Sequence, residues 1–279
     1  MIILEFLTEA VKFLVYCSSI VLISKYILAG TIRKIAQTLN LSSKTVGEVA
    51  GYATSVPELL TVAVSNINGL IGAGLYNVLS SNIINFIQYM ASIFINRNQK
   101  ILKTPLIRVD IILVIATILL PIIFIQLNLE INIITVIFFI ILYVFFRYID
   151  HNAHKLYLNS KPENIKNEDQ QTEWGKSIKY IVLLILSSIL LFVVGDLLGD
   201  TLENLCYRFN IPEIIIGILL GIITSIPELI TFFEAQKHHK SEDNEEEGVI
   251  EATNNLFTSN ILNLFIIQSI GVLLYIFFA

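Results

Sequence analysis

"TSVPELL", residues 54–60, lies inside a long apolar stretch and sets a proline beside a glutamate. Pro57 breaks a helix and Glu58 carries a charge, so neither suits a hydrophobic segment. The same stretch returns as "TSIPELI" at 224–230. Extended outward, "GEVAGYATSVPELLT" (47–61) and "GILLGIITSIPELIT" (217–231) agree at eight of fifteen positions. The segments that follow also match: "NVLSSNIINF" (77–86) aligns with "NLFTSNILNL" (255–264). The chain is therefore a duplication, and the orientation of its two copies decides the fold.

Composition supplies the medium. Hydrophobic residues make up 55 % of the 279 and charged residues 15 %, with a mean hydropathy of +0.74. Runs such as "IILVIATILLPIIFIQ" and "IVLLILSSILLFVVG" approach the roughly 20 residues that cross a bilayer. The expected class is an all-α polytopic membrane protein, with the lipid bilayer as its surroundings and nothing that points to nucleic acid. Hydropathy gives eight spans, near 10–30, 43–66, 69–95, 106–127, 130–149, 176–199, 211–235 and 249–277. Glu5 and Glu9 stand where a signal peptide would be basic, so the first span is expected to be retained.

Alternation across eight spans leaves Lys12 and Arg208 on one side and the other 16 of the 18 basic residues on the opposite side. The positive-inside rule makes the basic side cytoplasmic. Both termini are then outside, in an inner or plasma membrane. Residues 1–149 form an N-terminal half with a first repeat over about 43–95. Residues 150–175 form a polar cytoplasmic loop. Residues 176–279 form a C-terminal half with a second repeat over about 211–270. The first copy begins at the second span and the second copy at the seventh, five spans on, so they enter the membrane from opposite sides. Inverted repeats of this kind build many secondary transporters, with substrate sites near the midplane on interrupted helices.

The residue types fit that use. Pro57 has no N–H for the carbonyl of Ala53, and Pro227 does the same to Ile223. In lipid a freed carbonyl must meet protein, water or an ion. Thr54 and Ser55 share the helix face of Glu58, and Thr224 and Ser225 that of Glu228, by their three- and four-residue spacing. The partner helices carry stripes at four-residue spacing: Asn77, Ser81 and Asn85, then Asn255, Ser259 and Asn263. Folded together, the copies would make a cage of hard oxygen donors with two carboxylates, a set that suits Na+ and Ca2+. No soft ligand lies near, which argues against zinc or copper.

Other features read as ordinary packing or solvated chain. Gly47, Gly51, Gly217 and Gly221, with Ser80, Thr258, Thr61 and Thr231, fit close helix packing. Asn82 and Asn260 are placed to cap or bridge helices. Cys17 and Cys206 are apolar filler. His151 and His154, and the stretch "KHHKSEDNEEE" before the last span, read as solvated polar chain.

At the paired motifs the sequence resembles the cation/calcium exchanger superfamily, whose best-known members are sodium/calcium exchangers. The resemblance rests on "TSVPELL" with "SSNIINF" and "TSIPELI" with "TSNILNL", which look like that family's two alpha-repeats. It implies an alternating-access antiporter in which Ca2+ and Na+ compete for one central site. Glu58 and Glu228 would then be the central ligands. Thr54, Ser55, Thr224 and Ser225 would lend hydroxyl or backbone oxygen, and Ser81, Asn85, Ser259 and Asn263 would come from the partner helices. Gly51 and Gly221 fall where the family lends backbone carbonyls. The first and sixth spans would be the long helices that slide across the core. No cofactor is implied beyond the transported ions.

The chain departs from the family pattern in three places. Asn263 stands where many sodium/calcium exchangers have aspartate. Ala53 and Ile223 replace a frequent glycine. Eight spans are present where ten are usual, which leaves the scaffold and a homo-oligomer open. The leading expectation is Na+/Ca2+ exchange without covalent chemistry. Exchange of Ca2+ or another divalent cation for protons is the alternative, since a glutamate in low dielectric is also able to carry a proton. An enzyme would need a nucleophile–base or metal constellation that is not present. A structural membrane subunit would not need two matched buried glutamates.

Overall fold

The computed structural model describes residues 2–23, 26, 31, 41–127, 132–160, 174–240 and 244–278. Helix α1, Ile2–Ile23, precedes the first repeat. That repeat consists of α2, Ser43–Thr54, α3, Val56–Ile67, and α4, Ile71–Ile95. Two plain apolar helices follow: α5, Pro105–Gln126, and α6, Ile133–Ser160. Helix α7, Trp174–Glu203, leads into the second repeat. There α8, Glu213–Thr224, and α9, Ile226–Lys240, correspond to α2 and α3. Helix α10, Glu245–Ile261, a π-helical turn, Leu262–Ile267, and α11, Gln268–Phe278, together correspond to α4.

The proline breaks each repeat at the same residue with the same geometry. Ser55 has φ −82° and ψ 0°, and Ser225 has φ −78° and ψ 0°. The break is narrow. The Ser55 N–H still reaches the Gly51 carbonyl at 3.2 Å, and the Leu59 N–H reaches that of Ser55 at 3.1 Å. The second copy repeats both bonds, at 3.2 and 3.4 Å. Pro57 and Pro227 then sit in the first turn of α3 and α9, where a missing N–H costs little.

Six helices or helix pairs among the described residues are long and apolar enough to cross a membrane. The other two expected spans are α7 and the broken pair α2–α3, whose 12-residue halves are individually too short to cross. The eight expected spans are thus all present as helices. Some edges differ. The first span begins at Ile2 rather than near 10, and most of its expected end lies outside the described residues. The polar connection expected over 150–175 is helical through Ser160, and 161–173 lie outside the described residues. Tertiary contacts extend α6 there: Asp150 pairs with Lys44 of α2 at 2.8 Å, and the Tyr157 hydroxyl bonds the Glu246 carboxylate.

The repeats interlock rather than sit side by side. Helix α2 packs along α10 of the other copy, and α8 packs along α4. Glycines allow the approach: a Cβ on Gly51 would lie 2.9 Å from the Asn255 carbonyl oxygen, and one on Gly221 would lie 2.9 Å from that of Asn77. One apolar core joins α4, α5, α6, α9 and α10 through Tyr89, Phe139, Phe146, Phe232 and Phe265. A second joins α1 and α7 to α8 through Phe13, Ile20, Leu191, Leu198 and Leu220. Large side chains such as Ile134, Ile141, Phe145, Leu186 and Ile189 point outward, as a lipid-facing surface requires.

Candidate functional site

The polar stripes meet at the crossing of the two breaks. Glu58 and Glu228, each the third residue of its helix, are fully buried. So are Thr54, Ser225, Ser81, Asn85, Ser259 and Asn263, while Ser55 and Thr224 are 1 % exposed. This concentration of polar groups at the centre of a lipid-facing bundle is the opposite of what burial alone would select.

Each break faces the partner helix of the other copy. The Thr54 hydroxyl lies 3.4 Å from Asn255 Oδ1, and the Thr224 hydroxyl 3.5 Å from Asn77 Oδ1. The Ser81 and Thr224 hydroxyls are 3.4 Å apart, and the Ser55 and Ser259 hydroxyls 3.0 Å. Ser259 Oγ donates to Glu228 Oε1 at 3.1 Å. The Glu58 carboxylate neighbours Thr224, Ser81 and Glu228. The asparagines at the stripe ends act as struts: Asn77 Nδ2 donates to Thr61 Oγ1 at 2.7 Å, and Asn255 Nδ2 to Thr231 Oγ1 at 2.6 Å. Asn82 and Asn260 bridge the two copies reciprocally, each Nδ2 donating to the other's carbonyl at 3.1 Å.

Several oxygens are left over. Both oxygens of Glu58, Oε2 of Glu228, Oδ1 of Asn85, both amide atoms of Asn263 and the Ser225 hydroxyl have no hydrogen-bond partner among the described residues. A buried polar atom without a partner is costly, and these atoms come from both repeats. Asn85 Nδ2 donates to Ser259 Oγ at 3.3 Å, turning its carbonyl away from that bond. The carbonyl of Gly51 already accepts from the Ser55 N–H and lies 2.9 Å from the Ser55 hydroxyl, and that of Gly221 accepts from the Ser225 N–H. The two glycines therefore serve the helix seam at least as directly as the cage. Among the described residues no group of three or more His, Cys, Asp or Glu could hold a metal, so the donor set is two carboxylates surrounded by neutral oxygen.

The contacts link Glu58, Glu228, Thr54, Ser55, Thr224, Ser81, Asn85 and Ser259 to one another or to the facing stripe, while Ser225 and Asn263 are buried on the same helices without a hydrogen bond from their side chains among the described residues. The fold also shows charges that the motif did not flag. Asp110, fully buried in α5, neighbours Asp150 and Lys44. Lys44 reaches Asp150 at 2.8 Å and Glu48 at 3.8 Å, and Arg147 reaches Glu48 at 3.3 Å. A lone aspartate in the most apolar span was a readable signal; its partners, on α2 and α6, were not.

Helices at all eight expected spans, two inverted repeats with matched proline breaks, and a buried carboxylate pair between them define a polytopic membrane protein of the secondary-transporter class. The sequence model described as "Sodium/calcium exchanger protein" matches residues 10–150 and 179–278, and the chain belongs to that family. Among curated proteins no match is found. Solved structures of the sodium-calcium exchanger NCX_Mj share the fold. The one soaked with 10 mM Na+ and zero Ca2+ has a TM-score of 0.52 and 22 % identity, covering 98 % of this chain and 84 % of that one. The one soaked with 100 mM Na+ and 10 mM Sr2+ has a TM-score of 0.51 and 22 % identity, covering 98 % and 83 %.

Proposed function

We propose that this chain exchanges Ca2+ for Na+ by alternating access, with Glu58 and Glu228 as the shared ligands of both ions. The supporting observation is the pair of fully buried carboxylates with three unpartnered oxygens, set at matched helix breaks of opposed repeats. Hydroxyls of Thr54, Ser55, Thr224, Ser225, Ser81 and Ser259, with the carbonyls of Asn85 and Asn263, complete a hard-oxygen shell. Gly51 and Gly221 lend the backbone turns from which those hydroxyls project.

Charge sets the coupling. Two carboxylates in low dielectric are matched by one Ca2+ or by two monovalent cations, and either state is neutral. A half-filled cage is charged and does not cross between access states, so one ion species leaves before the other binds. With an amide at 263, the exchange is electroneutral. Helices α1 and α7 are the moving pair. Their contacts with α8 are apolar packing by Phe13, Ile20, Leu191 and Leu198, which resists sliding less than directional bonds do. The basic side faces the cytoplasm of a cell or inner membrane and both termini face outward.

The test is 45Ca2+ uptake into Na+-loaded proteoliposomes. Glu58→Gln and Glu228→Gln are each expected to reduce it by more than about tenfold; full uptake in both variants would sink the assignment. A second reading is favoured by the amide at 263: protons rather than Na+ as the coupling ion. Uptake driven by a pH gradient in Na+-free medium would select it. Thermal stability that responds to none of Ca2+, Sr2+ and Na+ would favour a structural subunit instead.

A further inference from the structure

Two buried carboxamides lie beyond the carboxylate cage, on one half of the molecule only. Asn66 of α3 is fully buried and Gln268 of α11 is 1 % exposed. Neither the oxygen nor the nitrogen of either amide has a hydrogen-bond partner among the described residues. Asn66 follows Glu58 and Val62 at four-residue spacing, so the three share a face of α3. Eight residues put Asn66 about 12 Å from Glu58 along the helix, toward its C-terminal end. Asn66 is held between two glycines: a Cβ on Gly74 of α4 would lie 2.2 Å from its Oδ1, and one on Gly271 of α11 would lie 2.5 Å from its Nδ2. Gln268 sits one turn before Gly271 on α11, adjacent on the buried side.

The other repeat shows what a purely structural amide looks like at this place. Gln236 is the counterpart of Asn66, eight residues beyond Glu228. Its Nε2 donates to Ser92 Oγ at 2.8 Å, and its Oε1 accepts from Asn98 Nδ2 at 3.0 Å. The π-helical turn 262–267 inserts one residue into the second copy, so Gly271 faces Asn66 where Ser92 faces Gln236. The same shift puts Gln268 in the place of Tyr89, whose hydroxyl bonds Thr253 at 2.7 Å. The counterpart of Thr253 in the alignment is Leu75, which has no side-chain donor or acceptor. The partners that satisfy one half are missing from the other, while the amides remain. Buried amides kept without partners call for an explanation, and π-turns recur at functional sites.

We propose that Asn66 and Gln268 form a second cation site, uncharged and selective for a monovalent alkali cation, between the carboxylate cage and the end of the bundle where α3 and α11 terminate. Carboxamide oxygens are hard donors that replace part of an ion's hydration shell. Without a carboxylate the site lacks the charge to hold a divalent ion against its hydration. It rests on the exchanger reading, in which this end faces outward, and gives the coupling cation a stop on its way to Glu58. The asymmetry makes it one-sided: the cytoplasmic counterpart is closed by the Gln236–Ser92–Asn98 bonds.

Tl+ serves as a monovalent probe in diffraction from crystals of the full chain. Anomalous density beside Asn66 and Gln268 is expected in the natural protein, and it disappears in Asn66→Leu with Gln268→Met, which conserve side-chain volume. Tl+ density at Glu58 and Glu228 is expected to persist in both. In oriented proteoliposomes the double variant should raise the half-saturating Na+ concentration on the outer side about tenfold and leave that for Ca2+ unchanged. Density at the glutamates with none at the amides, or unaltered outer Na+ dependence in the double variant, would overturn the second site and leave the exchanger reading standing. Loss of density at the glutamates alone would overturn the exchanger reading instead.

Discussion

Replacing Gly51 with alanine tests whether the seam between α2 and α10 sets the cage. The new methyl would lie 2.8 Å from Thr258 Cβ, 2.9 Å from the Asn255 carbonyl oxygen and 3.1 Å from the Ser259 nitrogen. Carbon contacts are comfortable at about 3.5–4.0 Å. Two of the three obstacles are backbone atoms, which have no rotamer to change, so the helices must part by about 0.7 Å. Overpacking of that order costs about 1–3 kcal/mol, against about 1 kcal/mol gained by replacing glycine in a helix. The displacement also carries Thr54 and Ser55 away from α10. The 3.0 Å contact between Ser55 and Ser259 would open to about 3.7 Å, beyond hydrogen-bond reach. Calcium ligands at about 2.3–2.6 Å tolerate no such shift. The Ca2+-induced rise in melting temperature should therefore shrink, and half-saturating Ca2+ in uptake should increase at least about tenfold. Gly195→Ala is the control, because its Cβ would meet Val64 Cγ2 at an ordinary 3.7 Å. A Gly51→Ala protein with natural Ca2+ responses, or a Gly195→Ala protein equally impaired, would refute the reasoning.

Two further outcomes follow from the charges. Asn263→Asp adds a third carboxylate where both amide atoms lack partners. The exchange should become sensitive to membrane potential, read as Ca2+ uptake that changes when valinomycin and K+ set the voltage; voltage-independent uptake would contradict the charge-matching argument. Lys44→Met removes the cation held between Asp150 and Glu48, with Asp150 only 2 % exposed. Leaving that acid uncompensated should cost about 3–5 kcal/mol, seen as a lower melting temperature, and adding Asp150→Asn should restore much of it. A Lys44→Met protein as stable as the natural one would show that the pair contributes nothing.

Much of this molecule is local chemistry, and local chemistry is legible in a sequence. The bilayer follows from apolar runs of spanning length. The inverted duplication follows from "TSVPELL" in the second span and "TSIPELI" in the seventh, an odd number of spans on. The break at Ser55 follows from Pro57, because a missing N–H acts within one turn of its own helix. The four-residue stripes give the proposed cage its candidates, because spacing along a helix fixes which side chains share a face.

Pairing between copies is a different matter. Helix α2 joins α10, and α4 joins α8, through glycine seams that look alike in the sequence; only complementary surfaces in three dimensions choose between them. That choice brings Ser55 to Ser259 and makes Asn82 and Asn260 exchange hydrogen bonds across 178 residues. Lys44 meets Asp150 across 106 residues, and no hydropathy pattern marks the pair. The π-turn at 262–267 arises within a helix that the sequence reads as continuous. By adding one residue it turns Gly271 toward Asn66 and leaves two amides without partners. Composition and periodicity therefore determined the medium, the repeats and which polar side chains share a helix face. The tertiary structure decided which copy completes which, and where their symmetry fails, because those outcomes depend on contacts between segments far apart in the chain.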